Sequence, residues 1–257
     1  MMIGVHTPEF PFETDVDSIR AAIDERQLAY PVAVDSDYAI WNAFANRYWP
    51  TLYVADPTGA IRFHHFGEGA YEECERVIQQ LLDVPGALRN DLVNVEADGV
   101  EVPPDWDSMQ SPETYVGWER AERFSSPGGP AFEQARSYTM PSMLRLNNWA
   151  LAGAWTIGGK AARSTLAGGV LAYRFRARDL HLVMGPAEPG KSVPFRVRLD
   201  GQPPGAAHGV DVAADGEGTA ADRRLYQLIR QPGRVRECTF EITFHEPGVE
   251  AYVFTFG

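Results

Sequence analysis

Two cysteines, Cys74 and Cys238, are the thiols of this 257-residue chain. Thiol–disulfide exchange runs through a thiolate, usually at a helix N-terminus where the dipole lowers its pKa, often with a second thiol to resolve the mixed disulfide. Neither cysteine fits that description. Cys74 belongs to an apolar stripe of Cys74, Val77, Ile78, Leu81 and Leu82 at helical spacing. Cys238 stands beside a run with strand character. Far apart and without metal-type spacing, both read as unpaired thiols that pack as small hydrophobes. A bridge between them would have to join two domains.

His64 and His65 are adjacent, and in a strand neighbours point to opposite faces, so they cannot easily share an ion. Asp35 and Asp37 read as helix caps. The stretch from His208 to Gly218 offers carboxylates but lacks the spacing of a calcium loop, so it reads as a turn. No phosphate-binding glycine loop or Ser-His-Asp pattern stands in a supporting context. No metal and no cofactor are expected. Trp118, Trp149 and Trp155, with Tyr115 and Tyr173, are candidates to face a ligand such as a sugar ring, although aromatics equally fill ordinary cores.

The elements that would carry these residues fall into two groups. Ile3–His6 reads as a strand, ended by Pro8 and Pro11. A helix follows from about Asp17, with Ile19, Ala22, Ile23 and Arg26 at helical spacing. Tyr30–Val34 is short and extended, and Asp35-Ser36-Asp37 caps a helix through Trp41 and Phe44. Thr51–Ala55 and Ile61–Phe66 form a hairpin across Asp56-Pro57-Thr58-Gly59. A helix runs from about Tyr71 to Asp83. Periodicity fades from Pro85 to about Pro130. Short β-runs follow at 170–176, 180–184, 195–199, 225–230, 239–244 and 251–256, implying six to eight strands in a sandwich or jelly roll. The expected organisation is a first domain at 1–85, a linker at 86–112 and a β-domain at 113–257.

Composition sets outer bounds. With 44% hydrophobic and 23% charged residues the chain is ordinary globular material. A formal net charge of -12 argues against nucleic acid and against docking on anionic lipid. No apolar run approaches the ~20 residues of a membrane-spanning helix, and the N-terminus lacks the pattern of a signal peptide. As given, the chain reads as cytoplasmic; an extracytoplasmic home follows if the native N-terminus is longer.

The order of the first domain, with Arg47-Tyr48-Trp49-Pro50-Thr51-Leu52-Tyr53-Val54-Ala55-Asp56, Ile3–Glu13 and Phe63–Gly69, resembles the redoxin branch of the thioredoxin superfamily. Nearly the whole chain resembles the C-terminal region of DipZ-type proteins, a thioredoxin-like domain followed by a β-domain likened to carbohydrate-binding modules. Ser111–Tyr115, Tyr226–Arg230 and Tyr252–Gly257 carry that resemblance in the second domain. It implies an α/β thioredoxin-like fold followed by an all-β sandwich, and thiol–disulfide oxidoreductase chemistry. It also implies that Pro50 is a cis-proline on the redox face, with Trp49 beside it and Glu9 as a nearby proton-handling acid.

The departure from the family is equally plain. In the family a strand and a helix carrying Cys-x-x-Cys, or a variant keeping only its first Cys, precede the segment that starts here at Met2. That strand lies between those matching Ile3–His6 and Leu52–Ala55. The expectation is therefore an N-terminally truncated, incomplete thioredoxin-like domain, redox-inactive on its own. Either the native protein is longer, the gene is damaged, or another chain fills the gap by strand addition. The alternative function is a non-catalytic binding protein whose β-domain recognises a glycan or a partner protein. Expected partners are a protein thiol or disulfide, or a glycan.

Overall fold

The structure, a computed structural model, describes residues 1–83, 92, 102 and 104–257. The chain divides into two compact units, Met1–Glu96 and Ala97–Gly257. Most of the linker expected at 86–112 lies outside the described residues.

Unit 1 begins with strand β1 (Gly4–His6). A 3-10 turn at Pro11–Thr14 follows, held by Glu13, whose carboxylate accepts from the backbone of Glu9 and Phe10 at 2.6 and 3.0 Å. Helix α1 (Val16–Glu25) is capped by Asp15, which accepts from Ser18 N. Strand β2 (Val32–Val34) pairs parallel with β1. Helix α2 (Ala39–Ala43) leads to strands β3 (Thr51–Ala55) and β4 (Ile61–Phe66), an antiparallel hairpin. The turn between them closes on Asp56, which accepts from Thr58 and Ala60 N and pairs with Arg62. Helix α3 (Tyr71–Leu81) completes the unit.

These strands form two separate two-stranded sheets, β1–β2 and β3–β4. Among the described residues β1 and β3 therefore each have one strand neighbour. Ile3, Val5, Val34 and Leu52 are exposed, while Phe10 and Ile19 are buried apolar side chains of this unit.

Unit 2 is mostly β. Its strands are β5 (Thr114–Tyr115), β6 (Ala135–Tyr138), β7 (Trp149–Ile157), β8 (Ala162–Ser164), β9 (Gly169–Phe175), β10 (Asp179–Pro186), β11 (Val193–Leu199), β12 (Glu217–Ala220), β13 (Arg224–Arg230), β14 (Cys238–Phe244) and β15 (Val249–Phe256). Hydrogen bonds link them in the order β12-β11-β14-β9-β7-β8-β15-β10-β13, with β6 added to β7 and β5 to β15. The six to eight strands expected from sequence become an 11-stranded sheet. The additional ones are mostly too short for a periodicity to register, and β7 carries small residues rather than clean alternation.

The sheet curls because β7 changes partners along its length. Trp149–Ala152 pair with β9, whereas Gly153–Ile157 pair with β6 and β8. Gly153 sits at the switch with φ +80°, and a Cβ there would lie 3.3 Å from Gly169 Cα. Glycine reaches that backbone region without the cost other residues meet. The curl brings Trp149, Trp155, Tyr173, Phe195, Tyr226, Phe240, Phe244 and Phe254 into one buried cluster. Along β14 the alternation is clear: Cys238, Phe240, Ile242 and Phe244 are buried, and Thr239, Glu241 and Thr243 are half-buried on the opposite face.

Candidate functional site

In unit 1 the first strand delivers Thr7, Pro8 and Glu9 to the loop at its end. Asp35, just after β2, is almost fully buried (1% exposed) and collects three donors. Thr7 Oγ1 donates at 3.1 Å, and the backbone amides of Ile40 and Trp41 donate at 2.8 Å each. Burial pushes its pKa up, yet the bonds from Ile40, Trp41 and Thr7 together hold the carboxyl below the ordinary carboxylate range. Asp35 thus caps α2, as its sequence position suggests, and ties that helix to the loop after β1. Tyr38 reinforces the tie by donating its hydroxyl to Pro8 O.

Trp41 then packs on Trp49, ring centroids 4.1 Å apart. Trp49 donates its indole Nε1–H to Thr7 O at 2.9 Å. The Trp49–Pro50 peptide bond is cis. Trp49 is 43% exposed and Pro50 is exposed, so both sit at the surface of the unit. The network brings Trp49 and Pro50 alongside the loop carrying Glu9, which is half-buried two residues beyond Thr7. Thr7, Tyr38 and Trp41 are the residues sequence reasoning missed. Only Trp41 gave a signal there, as an aromatic in a short helix, and nothing local marks its partnership with Trp49.

The cysteines stand apart from this cluster. Both are free. Cys74 lies inside α3, half-buried, its pKa raised by burial and by the neighbouring Glu75. Cys238 is buried at the start of β14. His64 is exposed beside Tyr53, and His65 sits half-buried with Nε2 3.4 Å from Glu68 O. No group of three or more metal-type ligands occurs among the described residues, and no helix among them is long and apolar enough to cross a membrane.

In unit 2 the candidate aromatics separate by burial. Trp149 and Trp155 are fully buried, which corrects their reading as ligand-facing. Trp149 donates Nε1–H to Glu122 O at 2.7 Å and packs edge-on against Phe124. Trp155 donates to Ala152 O at 2.8 Å and packs edge-on against Phe244. Each indole has its polar atom satisfied inside, as a core tryptophan requires. Tyr173 is buried too, its hydroxyl 3.0 Å from Thr114 Oγ1. Tyr115 lines a surface cleft of about 410 Å³ with Arg120, Glu122 and Arg123, but the Arg120 guanidinium lies 3.3 Å over its ring centre. Trp118 is the candidate tryptophan that reaches the surface, 41% exposed.

The family model described as "Thioredoxin like C-terminal domain" matches residues 111–257, more than half of the chain. The chain belongs to the thioredoxin-like C-terminal domain family. Within that family's span lie all the strands of unit 2. Among curated relatives, Protein DipZ of Mycobacterium bovis is 32% identical over 189 residues, 72% of this chain and 26% of that protein. Protein DipZ of Mycobacterium tuberculosis gives the same figures. The chain therefore spans about a quarter of the DipZ proteins it matches. Thiol-disulfide oxidoreductase YkuV of Bacillus subtilis is 32% identical over 81 residues, 32% of this chain and 55% of that protein.

Proposed function

We propose that this thioredoxin-like C-terminal domain protein is the substrate-facing part of a thiol–disulfide oxidoreductase, with its redox cysteines supplied by a strand and helix absent from this sequence. The observation that carries the reading is the split sheet of unit 1. Among the described residues the β1–β2 pair and the β3–β4 pair each present an open edge, and apolar Val5 and Leu52 are exposed there. An open edge with bare apolar surface is an arrangement proteins ordinarily avoid. A strand between β1 and β3 would pair both edges and cover those side chains. A helix following that strand would emerge near Trp49, Pro50 and Glu9. There Glu9 would take up the proton of a reacting thiol, and the exposed Trp49–Pro50 surface would receive a protein disulfide as partner. The relatedness to the thiol-disulfide oxidoreductase YkuV and to DipZ supports the same chemistry. The curled sheet of unit 2 is read as a jelly-roll sandwich, supported by the strand that serves both halves and by their shared core.

On this reading the 257-residue chain does not itself exchange disulfides. Reduction of insulin by the chain, with dithiothreitol as reductant, should equal that of a Cys74→Ser, Cys238→Ser double variant. Activity clearly above the cysteine-free variant would overturn the reading.

A further inference from the structure

The surface cleft of about 410 Å³ beside Tyr115 belongs wholly to unit 2. Its two arginines differ. The Arg120 guanidinium is engaged, lying 3.3 Å over the Tyr115 ring centre and 3.8 Å from Glu113 Oε2. That of Arg123 makes no hydrogen bond or ion pair among the described residues, and neither does the Glu122 carboxylate beside it. The backbone carrying these two side chains is fixed to β7. Glu122 O accepts from Trp149 Nε1 at 2.7 Å, Arg123 O accepts from Trp149 N at 3.3 Å, and Ser125 N donates to Trp149 O at 2.8 Å. Within this frame Arg123 has φ +59°, in the left-handed region that favours glycine. An arginine held there carries strain that a glycine would not. Burial raises the pKa of the Tyr173 hydroxyl, while its bond with Thr114 and the Arg123 charge oppose the rise. The guanidinium therefore lies within electrostatic reach of the cleft floor, where Thr114 is buried.

We propose that this cleft binds a small zwitterion, an amino acid or short peptide, with its carboxylate on Arg123 and its ammonium on Glu122. This goes beyond the thiol–disulfide reading and does not depend on it. A guanidinium presents a planar fork of donors that matches a carboxylate bidentately. An ionised carboxylate such as Glu122 is acceptor-only and suits the three donors of an ammonium. Since Glu113 is matched by Arg120, one cation and one anion remain for a ligand, the complement of a zwitterion. A phosphate would also suit the fork, but Glu113 and Glu122 line the same cleft and would repel its extra charge. Pro112 offers an apolar wall for an aliphatic side chain. Arg123 holds its place against the backbone preference of its position, which is the pattern of a residue kept for binding rather than for stability.

Isothermal titration calorimetry of the full chain tests this with leucine, glycyl-leucine and inorganic phosphate. Leucine, glycyl-leucine or both should bind, and more tightly than phosphate. N-acetylated and C-terminally amidated forms of whichever binds should be weaker by about tenfold, each having lost one charge-assisted pair. Arg123→Gly should abolish binding yet unfold at no lower temperature than the wild type, because glycine suits φ +59°. Glu122→Gln should weaken the zwitterion but not its N-acetylated form, and Arg198→Gln, exposed on β11, should change nothing. Should Arg123→Gly fail to fold, Arg123→Lys takes its place, with weaker binding expected because the charge is kept and the fork is lost. The proposal is overturned if neither zwitterion binds, if phosphate or a blocked form binds as tightly, or if the Arg123 variants bind as the wild type.

Discussion

At Cys238 the thiol lies 3.5 Å from Gln231 Oε1 and 3.7 Å from Arg236 O. Burial, with the Asp200 carboxylate adding to it, pushes its pKa up to about 11. At pH 7 the thiolate is then on the order of one molecule in ten thousand. Native protein treated with iodoacetamide at neutral pH should be modified slowly at Cys74 and scarcely at Cys238, whereas denatured protein should be modified at both. Fast native labelling of Cys238 would show that its surroundings have been misread. His181 offers a second test at this scale. It is 7% exposed, its Nε2 has no partner among the described residues, and Thr255 Oγ1 lies 3.3 Å from Nδ1. Burial lowers its pKa to about 4, with Asp179 and Asp211 opposing and Arg230 and Arg178 assisting. The unfolded chain binds this proton near pH 6.5, the folded one only near 4. Stability from the neutral ring is therefore complete above about pH 6.5 and is lost as pH falls toward 4. The loss is on the order of 3 kcal/mol. Urea unfolding at pH 7 and pH 4.5 should show a smaller pH-dependent loss in His181→Gln than in the wild type; equal losses would contradict this.

Among the elements, β7 decides the shape of unit 2. Replacing Gly153 by Ala places a Cβ at φ +80° and 3.3 Å from Gly169 Cα. Unit 2 should lose about 1–2 kcal/mol, read as a lower unfolding midpoint; an unchanged midpoint would mean that the bend lies elsewhere. The same strand marks the limit of what sequence patterning reveals. Along β14 one face is apolar and the other polar, so it is legible from alternation, whereas β9 alternates loosely, with Val170, Ala172 and Arg174 opposite Leu171, Tyr173 and Phe175. Trp149–Ile157 carries Ala and Gly between its tryptophans and leaves no period to read. In unit 1 the helices, the hairpin and the capping role of Asp35 follow from local spacing. The bond from Trp49 to Thr7 spans 42 residues and the one from Thr7 to Asp35 spans 28, so local spacing carries no trace of either. Residue type alone likewise could not separate Trp118, on the surface, from Trp149 and Trp155 in the core.

Taken whole, the molecule is unevenly consolidated. Unit 2 buries a large aromatic cluster, while unit 1 buries Phe10 and Ile19 and leaves Ile3, Val5 and Leu52 exposed. Since burial of apolar area is the main source of stability, scanning calorimetry should show two transitions, with unit 1 melting first. A single cooperative transition would contradict this. The split sheet of unit 1 leads to the most direct test, the intact mass of the endogenous protein. A mass well above 28.4 kDa, with the added sequence containing a cysteine-bearing strand and helix, is expected if the thiol site is completed by a further segment of the same polypeptide. A mass of 28.4 kDa would contradict that.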